Sequence, residues 1–215
     1  TKLLENIYRS VNIALVNELA VFCHELDIDL WAAIEAAGTK PFGFEVFYPG
    51  PGVGGHCIPI DPNYLSWTVR SLGYRFRLVE LAQEVSERMP AYVAKRIQDS
   101  LNSLRKPVNG SVVLLLGVSY KANVADHRET PARPLVEHLI RMGADVRFYD
   151  PHVEHFVVEG TELRSEDNLT GAICEANLVV LIQAHDEILE FGALDGASWI
   201  LDTRGVLSGD NVERL

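Results

Sequence analysis

The five residues Val112–Leu116, VVLLL, form an unbroken apolar run. A strand apolar on both faces needs cover above and below, the situation of a parallel strand inside an α/β sheet. The residues that follow keep to that requirement. A loop leads to a helix over about 132–142, a strand over 146–149, a helix over about 166–175, and strands over 178–182 and 199–202. Strands alternating with helices predict an α/β fold with a Rossmann-like, doubly wound parallel sheet. Asp150, between the second of these strands and Pro151, reads as a turn residue.

Upstream of this run the periodicity is helical. Leu4, Ile7, Val11, Leu15, Leu19, Phe22 and Leu26 recur at spacings of three and four, predicting a helix over 3–26 whose apolar stripe is core or subunit interface. A short helix over 30–37 ends at Gly38. Helices resume over 62–72 and 77–104, and Pro90 kinks or divides the last. The two patterns part at Lys106-Pro107. The chain is therefore expected to hold an all-helical domain, residues 1–106, and an α/β domain, residues 107–215.

Between the helices lies a long irregular segment, KPFGFEVFYPGPGVGGHCIPID. Prolines stiffen such a path, and glycines let backbone N–H groups approach a ligand without Cβ interference. Phe42, Phe44, Val46, Phe47 and Tyr48 predict a packed segment. Asp61-Pro62 reads as an N-cap followed by proline at the first helical position. That places Cys57 just ahead of a helix N-terminus, whose dipole favours a thiolate. Cys57 is a candidate nucleophile on this reading, and a small buried hydrophobe on the plainer one. The adjacent His56 is a weaker candidate base.

A net charge of −11 and a pI near 5.0 disfavour nucleic-acid or anionic-membrane binding through a general positive field. Three cysteines without CxxC spacing predict neither a disulfide framework nor a cysteine-based zinc site, and suit a reducing cytoplasm. Asp150, His152, Glu154 and His155 do not follow regular zinc spacing, so no metal is expected. No apolar run approaches the length needed to span a bilayer. The chain opens Thr1-Lys2-Leu3 directly into helical periodicity, and a longer polypeptide is expected ahead of it.

GGHCIPIDPNYL, with KPFGFEVFYPGPGV before it, GVSYKANVADHRETP after the first strand and LDTRG after the last, resembles the UDP-glucose/GDP-mannose dehydrogenase family. The resemblance covers nearly the whole chain. Its wording is most similar to the branch oxidising UDP-N-acetylhexosamines, UDP-N-acetylglucosamine 6-dehydrogenases in particular. It implies an NAD-dependent oxidoreductase of polysaccharide biosynthesis that turns the C6 alcohol of a UDP-sugar into a carboxylate by two hydride transfers. Cys57 matches the thiol that forms a thiohemiacetal and then a thioester. Asp61 matches an aspartate that assists proton transfer or positions water. Lys2 and Asn6 match a KxxxN pair, one helical turn apart, that steadies an oxyanion.

For substrate binding the resemblance implies Phe47, Tyr48, Gly52, Gly54 and Gly55 in the loop, Lys121 and Arg128 after the first strand, and Arg204 after the last. Without it, Lys121 and Arg128 supply charge to a diphosphate, or Arg128 and Glu129 merely form surface ion pairs. Only Gly117 stands where a GxGxxG would, so dinucleotide binding is not expected at that turn. NAD is expected mainly on a domain ahead of this chain, which alone would be inactive, and the helical region is expected to form a homodimer. The alternative is a non-catalytic nucleotide-sugar-binding or dimerisation module.

Overall fold

The computed structural model describes residues 1–55, 57–190 and 192–215, apart from the side chains at 57, 59, 60, 62, 63 and 193. Two compact units divide at Met89/Pro90. The first, Thr1–Met89, holds α1 (Lys2–Glu25), α2 (Leu30–Gly38), α3 (Cys57–Ser71) and the first half of α4 (Arg77–Ser103). Pro90 lies inside α4 without dividing it.

The apolar stripe of α1 is not core. Leu4, Leu15, Phe22 and Leu26 are exposed, and Ile7, Val11 and Leu19 are half-buried. The buried face is made of small and polar residues, Asn6, Ser10, Ala14, Val16, Asn17, Ala20 and Cys23. Short side chains let neighbouring backbone come close, and Val16, Ala20 and Cys23 pack with Leu30 and Ile34 of α2.

The irregular segment also departs from expectation. Phe42, Phe44, Val46 and Tyr48 are exposed, while Pro49, Gly50, Pro51 and Gly55 are buried. The compact breakers go inside because backbone there is satisfied from α1: the Gly50 N–H donates to Asn17 Oδ1 at 2.9 Å. The rings find partners on its outer side, Tyr48 stacked on Trp31 at 5.3 Å and Phe47 edge-on to Tyr8 at 5.8 Å.

The second unit, Pro90–Leu215, is built on five parallel strands in the order β2-β1-β5-β6-β7. These are β1 (Val112–Leu116), β2 (Asp145–Tyr149), β5 (Leu178–Leu181), β6 (Ile200–Asp202) and β7 (Val212–Arg214). The helices are α5 (Ala132–Arg141), α6 (Leu169–Glu175) and the short α7 (Asp186–Glu190). An antiparallel hairpin, β3 (His155–Val158) and β4 (Thr161–Arg164), and the three-residue β7 are additions to the sequence expectation. The α6 helix starts at Leu169, later than expected, because Asn168 caps it by accepting from the Gly171 N–H.

The apolar run behaves as its composition demands. Leu114 and Leu116 are fully buried against Val179, Leu181, Ile200 and the α6 residues Ala172 and Ile173. Burying each such side chain is worth roughly 1.5–3 kcal/mol. The second half of α4 belongs with this sheet through one buried ion pair. Arg96 donates to Glu213 at 2.6 Å, and Ser100 and Trp199 donate to the same carboxylate. Burial alone would raise Glu213, but the hydrogen bonds from Ser100 and Arg96 hold it below the usual carboxylate value.

The chain leaves β1 toward β2 on one side and reaches β5 on the other. Such a reversal opens a crevice at the carboxyl ends of the strands, where α/β sheets bind ligands. Among the described residues, no helix is long and apolar enough to cross a membrane.

Candidate functional site

In the helical unit, α1 and α3 bring together three of the residues singled out from sequence. Asn6 Nδ2 donates to Asp61 Oδ2 at 2.8 Å, and Lys2 Nζ lies 3.2 Å from the same oxygen. Fifty-five residues separate Asn6 from Asp61, so this is tertiary geometry and not a local cap. The N-cap expectation for Asp61 is corrected: α3 begins at Cys57, and Asp61 lies within the helix, one turn on from Cys57. Cys57 is thus the first helical residue rather than one ahead of the helix. The Cys57 side chain and His56 lie outside the described residues.

An ionised carboxylate only accepts hydrogen bonds, and Asp61 here accepts from an ammonium and an amide. Lys2 is 68% exposed, so the ion pair itself adds about 0–1 kcal/mol to stability. The geometry gathers two donors and one acceptor beside the helix turn that carries position 57. Of the loop residues proposed for binding, Gly52 and Gly54 are half-buried and Gly55 is buried with φ 86°, a left-handed conformation that favours glycine. Phe47 is half-buried and Tyr48 exposed, each engaged with a ring of α1 or α2.

In the sheet unit, the turn after β1 is closely packed. A Cβ on Gly117 would stand 2.5 Å from the carbonyl oxygen of Gln183, which follows β5. Asp150, read from sequence as a turn residue, is a buried anchor at the end of β2. It accepts from the Val118 and Ser119 N–H groups at 2.8 and 3.1 Å, and from the His152 N–H at 2.8 Å. Burial would raise Asp150, but hydrogen bonds from His185, His152 and Val118 outweigh it and hold the carboxyl below its ordinary value. Asp202, fully buried at the end of β6, accepts from the Arg204, Gly205 and Leu207 N–H groups and shapes the LDTRG turn.

Three cations were singled out here. Lys121 is exposed. Arg128 is exposed and held by Asp126 through two side-chain bonds at 2.9 and 2.7 Å, which draws Asp126 down to about 2. Arg204 is half-buried, donates through Nε to the Ile182 carbonyl at 2.7 Å and joins no carboxylate ion pair among the described residues. Burial pushes it down to about 10, so it remains a desolvated cation at neutral pH beside the β5 and β6 ends. A half-buried guanidinium of this kind has the charge and the planar donors to meet an anionic ligand.

A dinucleotide pyrophosphate needs free N–H groups at the first strand-to-helix turn. The Val118 and Ser119 N–H groups are committed to Asp150 instead. These residues do not fit NAD. His185, Asn123 and the anchoring role of Asp150 escaped sequence reading, because a polar residue just past a strand carries no periodic signal.

A family model described as "UDP-glucose/GDP-mannose dehydrogenase family, central domain" matches residues 1–88, and its companion, the family's UDP binding domain, matches residues 114–209. The chain is 37% identical over 221 residues to a UDP-N-acetyl-D-mannosamine dehydrogenase of Methanocaldococcus jannaschii, covering 99% of this chain and 48% of that protein. It is 34% identical to an NDP-N-acetyl-D-galactosaminuronic acid dehydrogenase of Ralstonia nicotianae, covering 98% of this chain and 48% of the relative. The solved UDP-D-ManNAc dehydrogenase of Pyrococcus horikoshii superposes with a TM-score of 0.84 at 31% identity, over 99% of this chain and 50% of that one. The chain spans about half the length of the relatives it matches. With both family models matched in order along it, this chain belongs to the UDP-glucose/GDP-mannose dehydrogenase family.

Proposed function

We propose that this chain is the thiol-bearing and nucleotide-recognising part of an NAD-dependent dehydrogenase that oxidises C6 of a UDP-N-acetylhexosamine to the uronate. The observation that carries the reading is the convergence of Lys2 and Asn6 on Asp61, one helical turn from Cys57. NAD is the hydride acceptor in this reading and is held mainly outside this chain, since the sheet's first turn does not fit it.

The residues of this chain serve the sugar carbon. A thiolate at position 57, favoured at the first residue of a helix, adds to the C6 aldehyde and leaves negative charge on its oxygen. Lys2 and Asn6, which donate to Asp61 at rest, are the donors available to that oxygen. Asp61, relieved of them, accepts a proton from the water that attacks the later thioester, releasing carboxylate and thiol. Lys121, Arg128 and Arg204 neutralise the diphosphate, and the anion offsets the part of the Arg204 burial cost that Asp202 leaves. The exposed stripe of α1 is the surface this reading assigns to a homodimer. Relatives named for N-acetylmannosamine and N-acetylgalactosaminuronic acid support an N-acetylated sugar.

The full-length protein, supplied with NAD and a panel of UDP-sugars, is expected to form uronate fastest from a UDP-N-acetylhexosamine. UDP titrated into this chain by calorimetry is expected to release heat. A protein that binds UDP and oxidises no sugar would instead be a binding module.

A further inference from the structure

His185 is fully buried just past β5, and the reaction proposed above does not use it. Its ring is the centre of a hydrogen-bonded hub. Nδ1 accepts from the Asn123 backbone N–H at 2.9 Å, so Nε2 carries the ring hydrogen. That nitrogen lies 3.1 Å from Ser119 Oγ and 3.2 Å from Asp150 Oδ2. Ser119 Oγ in turn donates to the Lys121 carbonyl at 2.9 Å.

The same two loops are joined again on their outer side. Asn123 Nδ2 donates to Asp186 Oδ2 at 2.9 Å, and the Asp186 N–H donates to Asn123 Oδ1 at 3.0 Å. Asn123 itself sits at φ 60°, in the left-handed region that asparagine adopts more readily than other side chains, which suits it to this turn. The 119–123 loop is therefore bonded to His185 at the Asn123 N–H and the Ser119 hydroxyl, and through that hydroxyl at the Lys121 carbonyl, while Asp186, Asp150 and Asp126 hold it at the Asn123 side chain and the 119 and 120 N–H groups. Lys121 is the exposed cation at the middle of the span.

We infer that His185 is the positioning residue for Lys121: from inside the unit it fixes the backbone that presents this ammonium to a nucleotide diphosphate. The inference rests on the reading of this crevice as the UDP site. A lysine ammonium on a flexible stem gains affinity only if its backbone is already placed, since ordering it on binding costs free energy. A neutral imidazole meets the requirement because it offers one acceptor and one donor in opposite directions. Leucine at 185 would fill the volume and satisfy neither side.

The test is a double-mutant cycle on the full-length protein, read as UDP dissociation constants by calorimetry. Lys121→Ala and His185→Leu are each expected to weaken UDP by about tenfold, the net worth of one charge-assisted hydrogen bond. In the Lys121→Ala background, His185→Leu is expected to cost nothing further, because its effect passes through the ammonium. A general loss of structure would instead add to the first. His185→Asn keeps an acceptor toward Asn123 and is expected to return the affinity to within about threefold of the parent. If His185→Leu fails to fold, Ser119→Ala cuts the link to the Lys121 carbonyl at smaller cost and should show the same non-additivity. Additive effects, or an unchanged dissociation constant in His185→Leu beside a weakened Lys121→Ala, overturn the inference and leave the UDP site standing. Unchanged binding in both Lys121→Ala and Arg204→Met removes the UDP site itself, and the inference with it.

Discussion

The two units spend their apolar residues differently. Twenty large hydrophobics are exposed among the described residues; seventeen lie in Thr1–Met89 and three, Val157, Leu189 and Val206, in the longer Pro90–Leu215. The sheet unit closes its core on itself because a strand apolar on both faces leaves no other solution. In the helical unit α1 buries a face of mostly small and polar residues and turns Leu4, Leu15, Phe22 and Leu26 outward. These exposed residues include the stripe assigned above to the proposed homodimer. The same contrast runs through the candidate chemistry, with the candidate nucleophile, donors and base on the helices and the candidate cations on the sheet unit.

That division of labour is open to attack at several points. The largest expected effect is Asp61→Asn, which should lower kcat by about 10²- to 10⁴-fold, the usual worth of a general base, while UDP affinity stays within about threefold. Parallel losses in both would erase the division. Leu114→Ala, in the closed core, should cost about 2–5 kcal/mol in a denaturant melt, whereas Leu15→Ala on the exposed stripe should change stability by less than about 0.5 kcal/mol. A loss at Leu15 that grows with protein concentration would show a second copy covering the stripe. Arg204→Met should weaken UDP by about 10- to 100-fold and raise the ligand-free melting point, because it removes a half-buried cation that joins no carboxylate ion pair among the described residues and whose burial outweighs the pull of Asp202.

The smallest expected effect concerns acid. The folded-state value of Asp150 lies below its unfolded one, so its contribution to stability is complete above about pH 4 and is lost as pH falls through the native value. Asp150→Asn should therefore be less stable near neutrality and show a shallower acid limb. An unchanged acid limb would mean that Asp150 does not hold the turn after β1.

Much of this was legible from residue order alone. Unbroken apolar runs and helical periodicity located every long helix and four of the five strands in the sheet, because burial writes itself into spacing. The β7 strand and the β3–β4 hairpin were not legible: VER and TELR carry charges, and short edge elements need no apolar alternation. Asp61-Pro62 misled because a cap and an interior residue share the same letters; the helix starts at Cys57. The glycine and proline segment kept its aromatics outside, since hydrophobicity does not say which partner a ring will meet. His185 and Asp150 escaped because a buried polar hub is defined by three strand ends meeting in space. The Lys2 and Asn6 pair was legible only through family wording, and its meeting with Asp61 needed the fold.

The central claim is that the helical unit holds a nucleophile at position 57 which the sugar visits covalently. The most direct measurement is uronate formation by the full-length Cys57→Ser protein alongside its affinity for the UDP-sugar. The account predicts parental affinity and no uronate. Uronate released at the parental rate would contradict it.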